Sequence, residues 1–265
     1  MTHEGVWVYA VVDHAGGDVF LPAGVAGTSV RALTAGGLTV LASNVDLAEF
    51  GEAALRRNLE DLTWLEEVAR AHHNVVDAAA RLFPVLPARF ATVHHADASM
   101  VAAFADRADQ LRAALARVGG HTEWGVKVYA VPKQRGAQPV AAPAAVSTST
   151  GAGTGSEPGA GMAYLKRRRS EISAKRESSR TAVASAREVH VELSGRAAQT
   201  RLYPPQSPAL SGTKEPMLLN AAYLLDAGGA AGFASLVGQA AAAHPDLRLD
   251  LTGPWPPYSF AGQEA

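Results

Sequence analysis

Nine histidines and no cysteine bound the chemistry open to this 265-residue chain. Without cysteine there are no disulfides, thiolate metal sites or cysteine nucleophiles, and the composition is compatible with a reducing compartment. The histidines cluster only as His72-His73 and as His94-His95 with Asp97 nearby. Neighbouring residues on a helix project about 100° apart, so His72 and His73 are poorly placed to share one ion. The expectation is one histidine partly buried and hydrogen-bonded with its neighbour exposed, and a similar arrangement at His94-His95. A hydrolase built around His72, His73 and Asp77 is the remotest of the functional alternatives.

Other candidates are weaker. Gly151-Ala152-Gly153-Thr154-Gly155-Ser156 has no strand before it and no Gly-Lys-Ser/Thr after it, so it reads as linker rather than a phosphate loop. Ser170, Ser173, Ser178, Ser179 and Ser185 lack the Gly-x-Ser-x-Gly elbow of a nucleophilic serine, and no paired carboxylate stands out. The expectation is therefore no catalytic residue, no metal and no cofactor. One basic concentration remains: Lys166, Arg167, Arg168 and Arg169, followed by Lys175, Arg176 and Arg180 and diluted by Glu171 and Glu177. Arg167 to Glu171 and Glu171 to Lys175 are four residues apart, which favours a solvated, salt-bridged helix face. An acidic partner protein or nucleic acid are the alternative readings, the latter needing a sustained patch.

Charge sets no global field, because 24 Lys and Arg stand against 25 Asp and Glu, so neither nucleic acid nor an anionic membrane is an expected partner. The start, Met1-Thr2-His3-Glu4, lacks the basic and apolar regions of a signal peptide. No apolar run reaches the roughly 20 residues of a membrane span. A cytoplasmic protein is expected.

Elements to position any site follow from pattern. Gly5-Val6-Trp7-Val8-Tyr9-Ala10-Val11 returns as Gly125-Val126-Lys127-Val128-Tyr129-Ala130-Val131. Both copies read as strands of one sheet, each with one face in a core and one nearer water. Short strands at 30–34 and 38–42 flank Ala35-Gly36-Gly37, a turn needing positive φ. Helical spacing starts at Asp46 and carries Leu47, Phe50, Leu55, Leu59, Leu62, Leu65 and Val68. A second helical run covers 74–82 and stops at Phe83-Pro84. Leu86 to Val93 reads as one extended strand holding an arginine in a buried context. Asp97 or Ser99 caps a helix running to Val118, which Gly119-Gly120 ends. Beyond a stretch poor in bulky apolar residues come a long charged helix at 161–195, strands at 201–203, 217–226 and 247–251, and a helix at 232–243. The ending Leu251-Thr252-Gly253-Pro254-Trp255-Pro256-Pro257-Tyr258-Ser259-Phe260 has three prolines that argue against helix and central strand. Its three aromatics call for burial in a groove of the fold.

The resulting fold class is α+β in two domains: residues 1–131 with a mixed or antiparallel sheet and helices, a flexible Ala/Pro/Gly/Ser linker at 132–160, and an α+β domain at 161–265.

Five blocks in order resemble the gas vesicle protein F/L family: Val6-Trp7-Val8-Tyr9, Leu86-Pro87-Ala88-Arg89-Phe90-Ala91-Thr92-Val93, Glu123-Trp124-Gly125-Val126-Lys127-Val128-Tyr129, Gly161-Met162-Ala163-Tyr164-Leu165-Lys166-Arg167-Arg168, and the ending from Leu251 to Phe260. The middle block departs from the family at Ala88 and Ala91, where a larger residue or glycine is frequent. The resemblance implies a non-enzymatic accessory protein of gas vesicle formation, associated with the gas vesicle, whose C-terminal domain is ferredoxin-like. Its implied partners are the small hydrophobic shell protein, before or during assembly, and other accessory proteins. Exposed sheet edges suit strand addition to an aggregation-prone subunit. The expected contacts are Val6, Val8, Leu86, Arg89 and Phe90. The rival reading is a nucleic-acid-binding regulator acting through the basic helix 166–180.

Overall fold

The computed structural model describes residues 4–13, 20–131, 159–208 and 212–262. Most of the expected linker, and with it the glycine-rich run at 151–156, lies outside the described residues. Residues 159 and 160, assigned to the linker from the sequence, already belong to a helix.

Strand β1 (Glu4–Val12) is buried on both faces from Val6 onward, which corrects the expectation of a water-facing side. An antiparallel sheet forms in the order β2 (Arg31–Ala35), β3 (Leu38–Asp46), β1, β4 (Val85–Pro87), with β5 (Val93–His94) also pairing β1. Gly36 and Gly37, at φ 57° and 78°, make the β2–β3 turn that only residues tolerant of positive φ accept cheaply. A bulge at Tyr9, between the pairs Val8–Ala42 and Ala10–Leu41, changes which residues share a face. Trp7, Tyr9, Ala10 and Val12 therefore join one core, while Val6, Val8 and Val11 join another.

Three helices follow β3. Asp46 caps α1 (Leu47–Phe50) by accepting the N–H of Ala48 at 2.9 Å; then come α2 (Glu52–Asn58) and α3 (Leu62–Ala80), capped by Asp61. The two helical runs read at 46–69 and 74–82 are thus divided differently, with 62–80 continuous. Val68, Val75, Val76 and Ala79 of α3 pack on the Trp7 face of the sheet. The opposite face is covered by α4 (Asp97–Ala105) and α5 (Ala108–Val118), which form two helices where one was expected. Neither Asp97 nor Ser99 occupies the N-cap position of α4. Ala96 does, with the Ser99 hydroxyl 3.3 Å from its N–H.

The stretch 86–93 is not one strand. After β4 the chain turns at Arg89–Thr92, with Ala91 at φ 62°, the left-handed region in which glycine is favoured. Arg89 is exposed on that turn rather than buried.

Strand β6 (His121–Ala130), the second copy of the repeated heptad, does not join the first sheet. It pairs with β8 (Met217–Asp226) and β9 (Leu247–Trp255) in a second antiparallel sheet of order β7 (Gln199–Leu202), β8, β6, β9. Between these strands run α6 (Gly159–Ser194) and α7 (Ala230–Ala243), and α8 (Tyr258–Ala261) follows β9. The sequence β6-α6-β7-β8-α7-β9 with this strand order is the ferredoxin-like arrangement. Its first strand therefore lies before the residues read as an interdomain linker, and a unit beginning at 161 lacks a central strand. The repeat marks equivalent positions: β1 sits between β3 and β4, β6 between β8 and β9. A short strand pattern dictates backbone type and facing, but not which sheet supplies the neighbours.

Trp124, Val126 and Val128 of β6 pack with Ala182, Ala186, Val189 and Leu193 of α6 and with Phe233 and Val237 of α7. On the other face, Ala222 and Leu224 of β8 share a core cluster with Val6, Val8, Met100, Leu115 and Phe260. The two sheets are thus joined through α4, α5 and the chain's ending.

Candidate functional site

Position along α3 aims the two histidines of its middle in different directions. His72 is 2% exposed, and its Nδ1 accepts the indole N–H of Trp7 at 3.0 Å. That bond places the ring proton on Nε2, which is buried and has no partner among the described residues. Rings of Tyr9, Phe90 and Trp7 surround it at 5.4, 5.7 and 5.9 Å between centroids. Burial, with the neighbouring His73 charge second, lowers the pKa of His72 to about 4, so it is neutral at physiological pH. It acts as a core hydrogen-bond acceptor. His73, half-buried rather than exposed, turns to the chain's ending, where its ring lies edge-on to Trp255 at 5.2 Å and 6.2 Å from Tyr258. Asp77 pairs with Arg81 at 2.8 Å, one turn on, rather than with a histidine.

His94 and His95 also separate, with His94 half-buried against Phe104 at 5.9 Å and His95 exposed. Asp97 forms a two-oxygen pair with Arg31, at 2.6 and 2.7 Å, which holds its carboxyl below the usual range. No group of three or more metal-ligating side chains occurs among the described residues.

The ending docks as its aromatic content demands. Prolines confine it to the outer edge of the sheet on β9, yet a short helix, α8, does form after Pro257, contrary to expectation. Phe260 is 1% exposed in the cluster between the sheets. Glu123 of β6 accepts the N–H and hydroxyl of Ser259, and Arg201 of β7 donates to the Ser259 carbonyl at 2.5 Å. Burial raises the pKa of Glu123, opposed by the Ser259 hydrogen bonds and the Arg201 charge.

This docking leaves a groove of about 610 Å³ between three chain segments. The end of α3 and the approach to β4 supply Leu82, Phe83 and Pro84; Val118, His121 and Thr122 come from the turn into β6; Pro254, Trp255 and Pro256 close the third side. Leu82 is 57% and Trp255 42% exposed, high for large apolar residues beside a concavity. Asp77 and Arg81 form a charged rim, and His121 pairs with Asp226 at 2.9 Å.

The contacts expected from sequence lie elsewhere. Val6, Val8 and Leu86 are at most 3% exposed, and β1 has neighbours on both sides, so it offers no edge for strand addition. Phe90 is packed edge-on to Trp7 at 5.4 Å, and only Arg89 is exposed. The walls of the groove are far apart in sequence, at 77–85, 118–122 and 254–257. Its one sequence signal was the aromatic, proline-rich ending.

Two antiparallel sheets, a ferredoxin-like second half and an ending that bridges them define an α+β protein in which that ending borders an apolar, partly open groove. The profile of the family described as gas vesicle synthesis protein GvpL/GvpF matches residues 5–262, and the chain belongs to that family of gas vesicle accessory proteins. It is 38% identical over 242 residues to gas vesicle protein L of Streptomyces sp. (strain CB03234), covering 90% of this chain and 85% of that protein. In fold it is similar to the crystal structure of GvpF from Anabaena sp. PCC7120, with TM-score 0.66 and 18% identity over 99% of this chain and 98% of the other. The crystal structure of GvpF from Microcystis aeruginosa gives TM-score 0.65, also at 18% identity, over 97% and 99%. A role in gas vesicle formation follows from family membership. No described helix is long and apolar enough to cross a membrane.

Proposed function

We propose that this protein is a non-enzymatic, cytoplasmic assembly factor that holds an apolar segment of the gas vesicle shell protein in the groove between α3, β6 and the chain's ending. The observation that carries this reading is the exposure of Leu82 and Trp255 at the rim of a 610 Å³ apolar concavity. An unassembled hydrophobic subunit exposes aggregation-prone surface, and a binder that covers it keeps the subunit available. Val6, Val8 and Leu86 lie in a closed core, Phe90 packs on Trp7 and Arg89 stands on a turn away from the groove's lining, so the proposed contacts are Leu82 and Trp255. Other accessory proteins of the same system are further proposed partners. The two sheets are taken as two domains divided at Gly119-Gly120. Co-expression of the tagged chain with a shell protein tests the proposal: recovery of soluble shell protein that drops with Leu82→Asp is expected, and recovery unchanged by that substitution would overturn the groove assignment.

A further inference from the structure

Helix α6 is longer than its core. At 36 residues it extends about 54 Å, yet its first buried described side chain is Ala182. Described side chains from Met162 to Thr181 are exposed, so roughly five turns project without packing. Helical stability comes mostly from packing an amphipathic face. Among the described residues these turns have none.

Their charges are nevertheless sorted. At about 100° per residue, Leu165, Ile172 and Val183 fall on one line, about 85° round the axis from the line of Ala182, Ala186, Val189 and Leu193 that faces the core. All three are exposed, at 58%, 46% and 54%. Arg169, Arg176, Arg180 and Arg187 flank this stripe on one side, and Arg168 and Lys175 lie on the other, in line with the positions that face the core farther along the helix. The four carboxylates of the helix, Glu171, Glu177, Glu188 and Glu192, all fall roughly 110° or more away. Among the described residues no ion pair involves α6. The pairs Arg167–Glu171 and Glu171–Lys175 suggested by spacing are not made, and the carboxylates nearest the flanking cations, Glu171 and Glu177, lie farther round the helix from the stripe than the cations do.

We infer that the free face of α6, from Leu165 to Val183, is a docking surface for an amphipathic helix of a partner protein whose apolar stripe is flanked by Asp and Glu. Apolar residues at the centre with cations on both flanks are complementary to that partner. A second copy of this chain would bring arginine rows together, and nucleic acid would leave the apolar line uncovered. An anionic membrane surface needs a broad apolar face, whereas this stripe is one residue wide. The inference is independent of the groove and of the shell protein.

The test uses the full chain and two fluorescent helical peptides of about 20 residues with the same leucine stripe, one flanked by glutamate and the other by lysine, read by anisotropy. Tight binding of the glutamate peptide alone, weakening with salt, is expected. Leu165→Asp with Ile172→Asp should weaken it about tenfold, and Arg169→Glu, Arg176→Glu and Arg180→Glu together should shift preference to the lysine peptide. Circular dichroism checks that the helix persists in each variant, and the wild-type comparison needs no variant. Equal binding of both peptides, no binding of either, binding indifferent to the leucine and isoleucine changes, or tighter binding to duplex DNA would each overturn the inference.

Discussion

Glu123, in a central strand of the second sheet, accepts the backbone N–H of Ser259 at 2.7 Å and its hydroxyl at 2.5 Å across 136 residues of chain. This contact holds α8 where Phe260 fills the space between the sheets and Tyr258 meets His73. It also fixes the third wall of the groove, since Trp255 and Pro256 lie just before α8. Local hydrogen bonding and the shape of the proposed binding surface are therefore linked.

Removal of that acceptor should loosen the ending. Glu123→Ala is expected to cost about 2 kcal/mol, the scale of a lost hydrogen bond to a charged, largely buried group. Urea unfolding gives the first quantity, and limited proteolysis after Trp255 should show faster cleavage. The pH dependence has a definite sign. Burial raises the folded pKa above its ordinary 4.5 against the opposing pull of the Ser259 hydrogen bonds, so the stability linked to the carboxyl's protonation is full below 4.5 and is lost as pH rises through the folded value. Glu123→Gln, uncharged throughout, should lack that slope.

His72 acts in the opposite sense. Its folded pKa of about 4 lies below the ordinary 6.5. The unfolded chain takes up the proton first, so stability is complete above 6.5 and is lost as pH falls toward 4, by roughly 3 kcal/mol in all. His72→Asn keeps an acceptor for the Trp7 indole and cannot gain the charge. Melting temperatures between pH 7 and 4 should fall for the wild type and stay flatter for the variant.

Gly253 has φ 123°, and a Cβ there would lie 2.8 Å from the Glu123 carbonyl oxygen. Gly253→Ala is expected to destabilise by about 2 kcal/mol or more, from backbone strain together with overlap against β6. Chemical denaturation would measure this, and a stability equal to wild type would show that β9 runs differently past Glu123.

Strand membership can be tested by fragments. A chain of residues 161–265 lacks β6, which pairs on both sides in the second sheet. It should show no cooperative thermal transition, whereas residues 120–265 should retain one.

Local order was readable where local physics decides it. The apolar run at Met217–Asp226 became β8 with those limits, and Gly36-Gly37 formed the expected turn. Non-local choices were not readable. Gly125 to Ala130 repeats Gly5 to Ala10 closely, and the repeat dictates strand character while tertiary packing assigns the sheet. The break between α4 and α5 falls at Asp106 and Arg107, with neither glycine nor proline to announce it. Arg89 looked buried because apolar residues surround it in sequence, but the turn through Ala91 carries it to the surface. The separation of His72 and His73 followed from helix geometry, although the packing of His73 on Trp255 needed the docked ending. Leu82 entered the candidate site only once α3, β6 and the ending were assembled.

The groove is tested most directly by placing a photo-crosslinking amino acid at position 82 of the full chain, co-expressed with a gas vesicle shell protein. Thr34, exposed on β2 at the far edge of the first sheet from β4, serves as the control position. A covalent adduct with the shell protein from position 82 and little from position 34 is expected. Equal crosslinking from both positions, or adducts from position 34 alone, would contradict shell-protein binding in the groove.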